Sequence, residues 1–356
     1  MANHCDTIKL EKGMYQEAGR SFTQVLERLD PSEQYKGTGM EGLDAFQRQL
    51  KRFDIKVRGA ASDPVEKFFR TADSAVLFPE YIARSVRQGM EEGDLLPSIT
   101  AATTRFEGMD YRSITAQAGG DSKELKAVDE GASIPATTIQ VQANLVKLRK
   151  RGRMLVASYE AVRYQKLDLF SVTLRQIGSH IAQMLLADAV EVLIHGDGND
   201  NAAAASETKG AGVLTYDELV DFWAAFDPYE MNTLLVSSDV LLKMLKLAEF
   251  QNPLTGLNFQ GTGKLSTPLG ATLLRTSVLP KNTAIGLDKR YALELVQGSD
   301  VTVEYDKLAK HLNDKVGSME YDKLIGRQLE RAAITTISGF AKLFQGASRV
   351  LTVKAS

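Results

Sequence analysis

The chain has 356 residues, 44% of them apolar and 25% charged, with a net charge of −2. That is room for one large domain or two to three ordinary ones, with a globular rather than a disordered or fibrous composition. Near-neutral charge excludes a general attraction to nucleic acid or anionic membrane, and a single cysteine, Cys5, excludes an intramolecular disulfide and fits a reducing cytoplasm.

The first residues, Met1 to Asp6, show no basic region leading into an apolar run, so no signal peptide is expected. Phe22, Val25, Leu26 and Leu29 recur at helical spacing, as do Leu43, Phe46, Leu50 and Phe53, with Asp30-Pro31 and Gly37-Thr38-Gly39 as breaks. Two short amphipathic helices are predicted, tethered through residues 58–64. They form either a hairpin docked on the body or a detachable, assembly-guiding segment.

Apolar clusters continue from Val65 to Met90, where Pro79 and Gly89 are expected to prevent one continuous helix, Pro79 fitting a helix's first turn. Tyr111 to Ala118 reads as a strand, and residues 119–135 are too polar to build core. Ile139, Val141, Ala143 and Leu145 then alternate with polar residues, a period-2 strand whose phase changes at Leu145-Val146. Together these residues predict a long two-stranded arm with a polar tip. An isolated ribbon is marginal in water, so the arm needs a surface to lie on, and another copy of the chain is the expected partner.

Lys147-Leu-Arg149-Lys-Arg151-Gly-Arg153 is the one strong charge cluster. In a strand, Lys147, Arg149 and Arg151 share a face. That face is either simply solvated or an intersubunit site for acids such as Glu124, Asp129 and Glu130 of a neighbour's arm. Nucleic-acid contact ranks third, because no aromatics are interleaved as stacking platforms.

Phe170, Leu174, Ile177, Ile181, Met184, Leu185, Ala189, Val192 and Leu193 mark one amphipathic helix over Leu167 to Ile194, roughly 40 Å long. It ends at His195-Gly-Asp-Gly198. No uncharged apolar stretch is read as long enough to span a membrane.

Residues 202–210 look like a linker, and Thr215-x-x-Glu218 is a capping box opening a helix. A strand (232–236), a helix (238–250), a Gly-rich loop and strands at 271–275, 284–287, 292–296 and 301–305 follow. These describe a compact α+β unit. Ala332 to Leu343 is a final strand able to return to the first domain.

Catalytic and metal motifs do not form. Gly261-Thr-Gly263-Lys264 lacks the earlier glycine and the hydroxyl residue of a phosphate loop, since Asn258 and Leu265 stand there. Asp197, Asn199 and Asn201 fit the first positions of a calcium loop, but Ala202 and Thr208 break it, leaving a helix-terminating turn as the default. The histidines His4, His180, His195 and His311 have no zinc spacing. Ser158 and Ser179 lack a nucleophile-elbow context, and Cys5 lies in a polar tail. No catalytic residue, metal or cofactor is therefore expected.

The order of these elements resembles the major capsid proteins of tailed phages, which share the Hong Kong 97 phage fold. The resemblance is carried by Asp73-Ser-Ala-Val-Leu-Phe-Pro79-Glu-Tyr-Ile82, Glu130-Gly-Ala-Ser-Ile-Pro135, Lys147 to Arg153, the long helix and Ile194-His-Gly-Asp-Gly198. Thr267-Pro-Leu-Gly270, Val278-Leu-Pro280 and Ala284-Ile-Gly-Leu-Asp288 extend it. It implies an α+β, Hong Kong 97-type capsid fold with an N-terminal helical segment at 1–64, an N-terminal arm at 65–107 and an extended β-hairpin loop at 108–145. A peripheral domain on a long spine helix would occupy 146–205 and 326–356, and an axial domain 206–325.

Such subunits form hexamers and pentamers and then an icosahedral shell packaging double-stranded DNA without sequence specificity. The implied partners are copies of itself, with scaffold, portal and decoration proteins, but no membrane. The implied location is the virion capsid, assembled in the bacterial host cytoplasm. Some relatives cross-link a lysine to a neighbour's asparagine, for which Lys123 and Lys126 are the arm's lysines. Two other readings stay open: an encapsulin-type nanocompartment shell of the same fold, against which the long N-terminal region speaks, and an α+β enzyme with a site near 251–264.

Overall fold

The computed structural model describes residues 4–17, 20–106, 108, 111–116, 139–142, 144–158, 164–252, 268–307 and 329–355. The chain divides into two compact units: Met1–Gly93 with Arg151–Ile181 and Val301–Thr336, and Asp94–Lys150 with Ala182–Asp300 and Ile337–Ser356.

In the first unit the two predicted amphipathic helices are α1 (Phe22–Leu29) and α2 (Ala45–Arg52). Each opens on a reciprocal capping box, Ser21 with Gln24 and Asp44 with Gln47, which satisfies two orphan amides per helix. Their apolar faces do not form a separate hairpin. Leu10, Phe22, Leu26, Phe46 and Leu50 share one buried cluster with Phe68, Phe78, Ile82, Leu167 and Leu174. Polar clasps reinforce this packing: Thr23 Oγ1 donates to the buried Glu80 at 2.8 Å, and Arg84 reaches Asp44 at 2.7 Å. Between α1 and α2 the fully buried Arg48 donates from Nε to Asp30 at 2.6 Å, while its guanidinium lies 4.3 Å from the centre of the Tyr35 ring.

A short helix α3 (Ala72–Val76) leads into α4 (Phe78–Glu92), with Pro79 in the first turn. Contrary to the sequence reading, Gly89 lies inside α4. The reason is a close crossing with the spine helix α5 (Leu167–His195). A Cβ on Gly89 would fall 2.0 Å from the Arg175 carbonyl oxygen, and one on Gly178 2.0 Å from that of Val86. Paired glycines let the two backbones touch. The spine helix is also long and apolar enough to cross a membrane by length and composition, which the sequence reading denied. Here Leu174, Leu185, Ala189 and Leu193 are buried in the protein, so the helix serves as a core element.

The second unit is built on a five-stranded mixed sheet in the order β5 (Ala204–Glu207), β11 (Ser348–Thr352), β8 (Thr283–Leu287), β6 (Thr233–Val236), β7 (Thr272–Arg275). Strand β5 corrects the reading of 202–210 as a linker: it pairs in parallel with β11. Helix α6 (Tyr216–Ala224) opens on the predicted Thr215–Glu218 box. The helix expected over 238–250 breaks into α7 (Ser238–Leu245) and a single turn, Ala248–Gln251. Phe222, Phe226, Leu234, Val240, Met244 and Leu351 form this unit's core.

A four-stranded sheet runs β1 (Ala102–Arg105), β9 (Leu293–Lys307), β10 (Leu329–Lys342), β4 (Arg149–Ser158). The two strands expected at 292–296 and 301–305 are the single strand β9. Strand β10 covers the expected return strand up to Lys342.

Candidate assembly surface

The predicted arm is present at its root. Strands β2 (Ile114–Ala116) and β3 (Ile139–Val141) pair antiparallel as a separate ribbon, with Ile114 opposite Val141 and Ala116 opposite Ile139. The first strand begins at Ile114, three residues later than predicted, and residues 117–118 lie outside the described residues. The phase change at Leu145-Val146 lies between strands, since β3 ends at Val141 and the next strand begins at Arg149.

This root is fixed by buried polar contacts. Glu294, at the start of β9, accepts hydrogen bonds from Thr104 Oγ1 at 2.5 Å, Tyr111 Oη at 2.6 Å, and the Ser113 hydroxyl. Glu294 is 5% exposed and Ser113 fully buried. Three hydroxyl donors thus satisfy one carboxyl that is almost wholly out of water, as a buried polar group requires. Burial, and then the neighbouring carboxylate, raise the Tyr111 pKa and keep its phenol a donor. On the returning side Gln142 N donates to Ser113 O at 2.9 Å, Val146 N to Tyr111 O at 2.8 Å, and Gln142 Nε2 to Lys342 O at 3.1 Å. The ribbon therefore leaves from a rigid base, while Val141 on it is 60% exposed.

The turn after the spine helix supports that base. Asp197 Oδ1 accepts from Asn199 N and Nδ2, Asp197 Oδ2 from Lys342 N at 2.9 Å, and Asn201 Oδ1 from Asp197 N at 3.1 Å. The loop's side-chain oxygens thus accept from amides of the loop itself and of Lys342. Asn144 in turn accepts this turn as a partner, donating its backbone N–H to Asn199 Oδ1 at 3.0 Å and its side-chain amide to Gly198 O. Lys342 is fully buried and donates from Nζ to Leu193 O at 3.2 Å, in the last turn of the spine helix. Burial pushes its pKa down to about 8. Among the described residues, no three His, Cys, Asp or Glu side chains are grouped to hold a metal ion.

The basic strand divides its labour. Arg149 Nη1 lies 2.5 Å from Asp188 and 2.8 Å from Glu191, both on the spine helix, and Arg149 holds the Glu191 carboxyl below its usual range. Arg149 is thus engaged within its own chain. Lys147 and Arg153 are exposed, and Arg151 is half-buried. Glu124, Asp129 and Glu130, with Lys123 and Lys126, lie outside the described residues, as does most of the loop at 251–264. Cys5 is buried rather than in a free tail. The sequence reading missed Glu294 and Lys342. An acid between Leu293 and Leu295, and a lysine after Phe340-Ala341, were the available signals.

The model of the phage capsid protein family matches residues 142–339. No curated protein matches the chain. Among solved structures, the capsid of a native GTA particle is 15% identical with a TM-score of 0.51, over 73% of this chain and 90% of its own. The capsid of an empty GTA particle is 14% identical with a TM-score of 0.51, over 73% and 96%. The virus-like particle from Pyrococcus furiosus is 12% identical with a TM-score of 0.48, over 77% and 99%. With the family match covering more than half of the chain, the chain belongs to the phage capsid protein family, and its likeness to the two GTA capsids goes with the Hong Kong 97-type fold.

Proposed function

We propose that this capsid protein is the major shell subunit of a tailed phage. Its copies associate as hexamers and pentamers into an icosahedral shell, assembled in the bacterial host cytoplasm and filled with double-stranded DNA without sequence specificity. The supporting observation is the ribbon of β2 and β3: among the described residues it pairs with no other strand, and it exposes Val141, yet it springs from a buried, hydrogen-bonded root at Glu294. A rigid base under an otherwise unpaired two-stranded ribbon suits a part that is completed by another subunit.

In this reading, Lys147 and Arg153 are the intersubunit cations of the basic strand. Their partners are acids of a neighbour's loop, with Glu124, Asp129 and Glu130 as the sequence's choices. Lys123 and Lys126 remain the lysines a covalent link between subunits would use. Scaffold, portal and decoration proteins are the further partners.

Electron microscopy of the purified full chain, alone and co-expressed with its neighbouring genes, tests the reading. Closed shells or rings of five or six subunits are expected. A monomer under both conditions overturns it, and shells holding an enzyme instead of DNA replace it with the nanocompartment reading.

A further inference from the structure

The spine helix runs out into Gly196-Asp-Gly-Asn199-Asp-Asn201, where the backbone takes a shape few sequences allow. Gly196, Gly198 and Asp200 have φ of +81°, +96° and +54°, the left-handed region that glycine, and after it Asp and Asn, tolerate best. A Cβ on Gly196 would fall 2.5 Å from Asn201 Oδ1, so the turn closes tightly on itself. A single glycine is enough to stop a helix. Left-handed backbone at every second residue does more: it fixes where the side chain of Asn199 points.

That side chain reaches the returning side of the arm. Asn199 Nδ2 donates to Gln142 Oε1 at 3.3 Å and to Asp197 Oδ1 at 2.9 Å, while Asn199 Oδ1 accepts from Asn144 N at 3.0 Å. Gln142 is 5% exposed, and its side chain is shared, since Nε2 goes to Lys342 O at 3.1 Å. Lys342 O also receives Asn201 Nδ2 at 3.4 Å, and Lys342 N returns to Asp197 Oδ2 at 2.9 Å. The bonds close a ring from turn to arm, from arm to β10, and from β10 back to the turn. Only an amide serves at position 199, because it donates on one side and accepts on the other at once. A carboxylate of the same shape would still accept from Asn144, but would set its oxygens against those of Gln142 and Asp197.

We propose that Asn199 is the positioning residue of the arm: through Gln142 and Asn144 it clamps the ribbon's returning side to the end of the spine helix, so that the two move as one piece. The direction of the arm is then set by the helix end, because a two-stranded ribbon is too small to hold itself. The clamp is a property of the single chain, and only its bearing on assembly rests on the shell-subunit reading.

Hydrogen exchange of the unassembled full chain tests this. The reporters are the amides of Gln142 and Val146, bonded to Ser113 O and Tyr111 O at the arm's root. Asn199→Asp, which keeps the shape and loses the donor, should speed exchange at both severalfold while β8 and β11 of the same unit stay protected. Thr215→Ala, which removes the cap of α6 elsewhere in that unit, should leave both reporters unchanged. Reporters as slow as in the natural chain, or faster exchange spread evenly over the unit, overturn the proposal. Combining Asn199→Asp with Gln142→Ala should speed exchange by less than the product of the two single effects; a full product shows that Asn199 does not act through Gln142. If the Asn199 variant fails to fold, Asn144→Ala decides, since it removes only an exposed side chain's bond to Gly198 O. It should speed exchange at the same two amides, and no change there counts against the clamp. Co-expressed with its neighbouring genes, the Asn199→Asp chain should give severalfold fewer closed shells. A natural chain that forms none overturns the shell-subunit reading and leaves the exchange result standing.

Discussion

Glu294 shows how much one side chain can hold. Its neighbours in β9, Leu293 and Val296, are core residues, and its own carboxylate is kept out of water by hydroxyls from Thr104, Tyr111 and Ser113. Glu294→Ala removes the acceptor of three hydroxyls, Ser113 fully buried and Thr104 and Tyr111 half-buried, and should cost about 1–3 kcal/mol. Glu294→Gln, which keeps an acceptor oxygen, should cost less. Urea denaturation of the unassembled subunit checks both, and equal losses would show that the carboxylate's acceptor role is unimportant. The sequence displayed an acid in an apolar strand, but not its partners, which lie about 180 to 190 positions away and meet it only through the pairing of β1 with β9.

Lys342 makes a pH-dependent prediction. Its folded-state pKa is about 8 against an ordinary 10.5. Between those values the unfolded chain binds a proton that the folded chain does not, so stability rises with pH across that window. Below about 8 both states are protonated and the full penalty, on the order of 3 kcal/mol, is present. Lys342→Met removes the penalty and also the bond to Leu193 O. Its advantage over the natural chain should therefore be largest near neutral pH and shrink as the buffer approaches pH 10. Denaturation curves at both ends of the range measure this; a difference independent of pH contradicts it.

At the scale of elements, the crossing of α4 and the spine helix depends on Gly89 and Gly178. A glycine inside a helix costs about 1 kcal/mol relative to alanine, which is why the sequence suggested a break at Gly89. The crossing outweighs that preference, because each glycine faces the other helix's carbonyl at a distance no Cβ tolerates. Gly178→Ala should destabilise the subunit by about 3 kcal/mol or more, the upper range of overpacking. Gly93→Ala is the control: its Cβ would meet only Ser179 Oγ, at 3.5 Å, and the change should stay within about 0.5 kcal/mol. Thermal melts of the two variants compare them directly. Elements with strong local signals were legible: α1, α2, the spine helix and the capped α6. Strand β5 was not, because Ala204–Glu207 has no apolar alternation and becomes a strand only by pairing with β11, some 145 residues later.

For the whole molecule, the order of elements was enough to suggest the capsid fold, since arm, basic strand, spine helix and α+β unit follow one another along the chain. What the order left open was whether the first sixty or so residues are detachable, and here packing gives the argument. Leu10, Phe22, Leu26, Phe46 and Leu50 are buried in the same cluster as Phe68, Phe78 and Leu167. At about 1.5–3 kcal/mol for each fully buried large apolar side chain, the five contribute on the order of 10 kcal/mol, comparable with the entire stability of a typical domain. Removal would also expose Glu80, which Thr23 and Arg84 now cover, and leave Arg84 without Asp44. A chain lacking residues 1–57 should therefore be insoluble, or lack a cooperative melting transition, and should not yield shells under conditions where the full chain does. Protease digestion of assembled particles gives the matching test: the N-terminal segment should resist cleavage as long as the particle stays folded. A truncated chain that melts cooperatively and assembles normally would mean that these residues are a removable guide to assembly, despite the core they share.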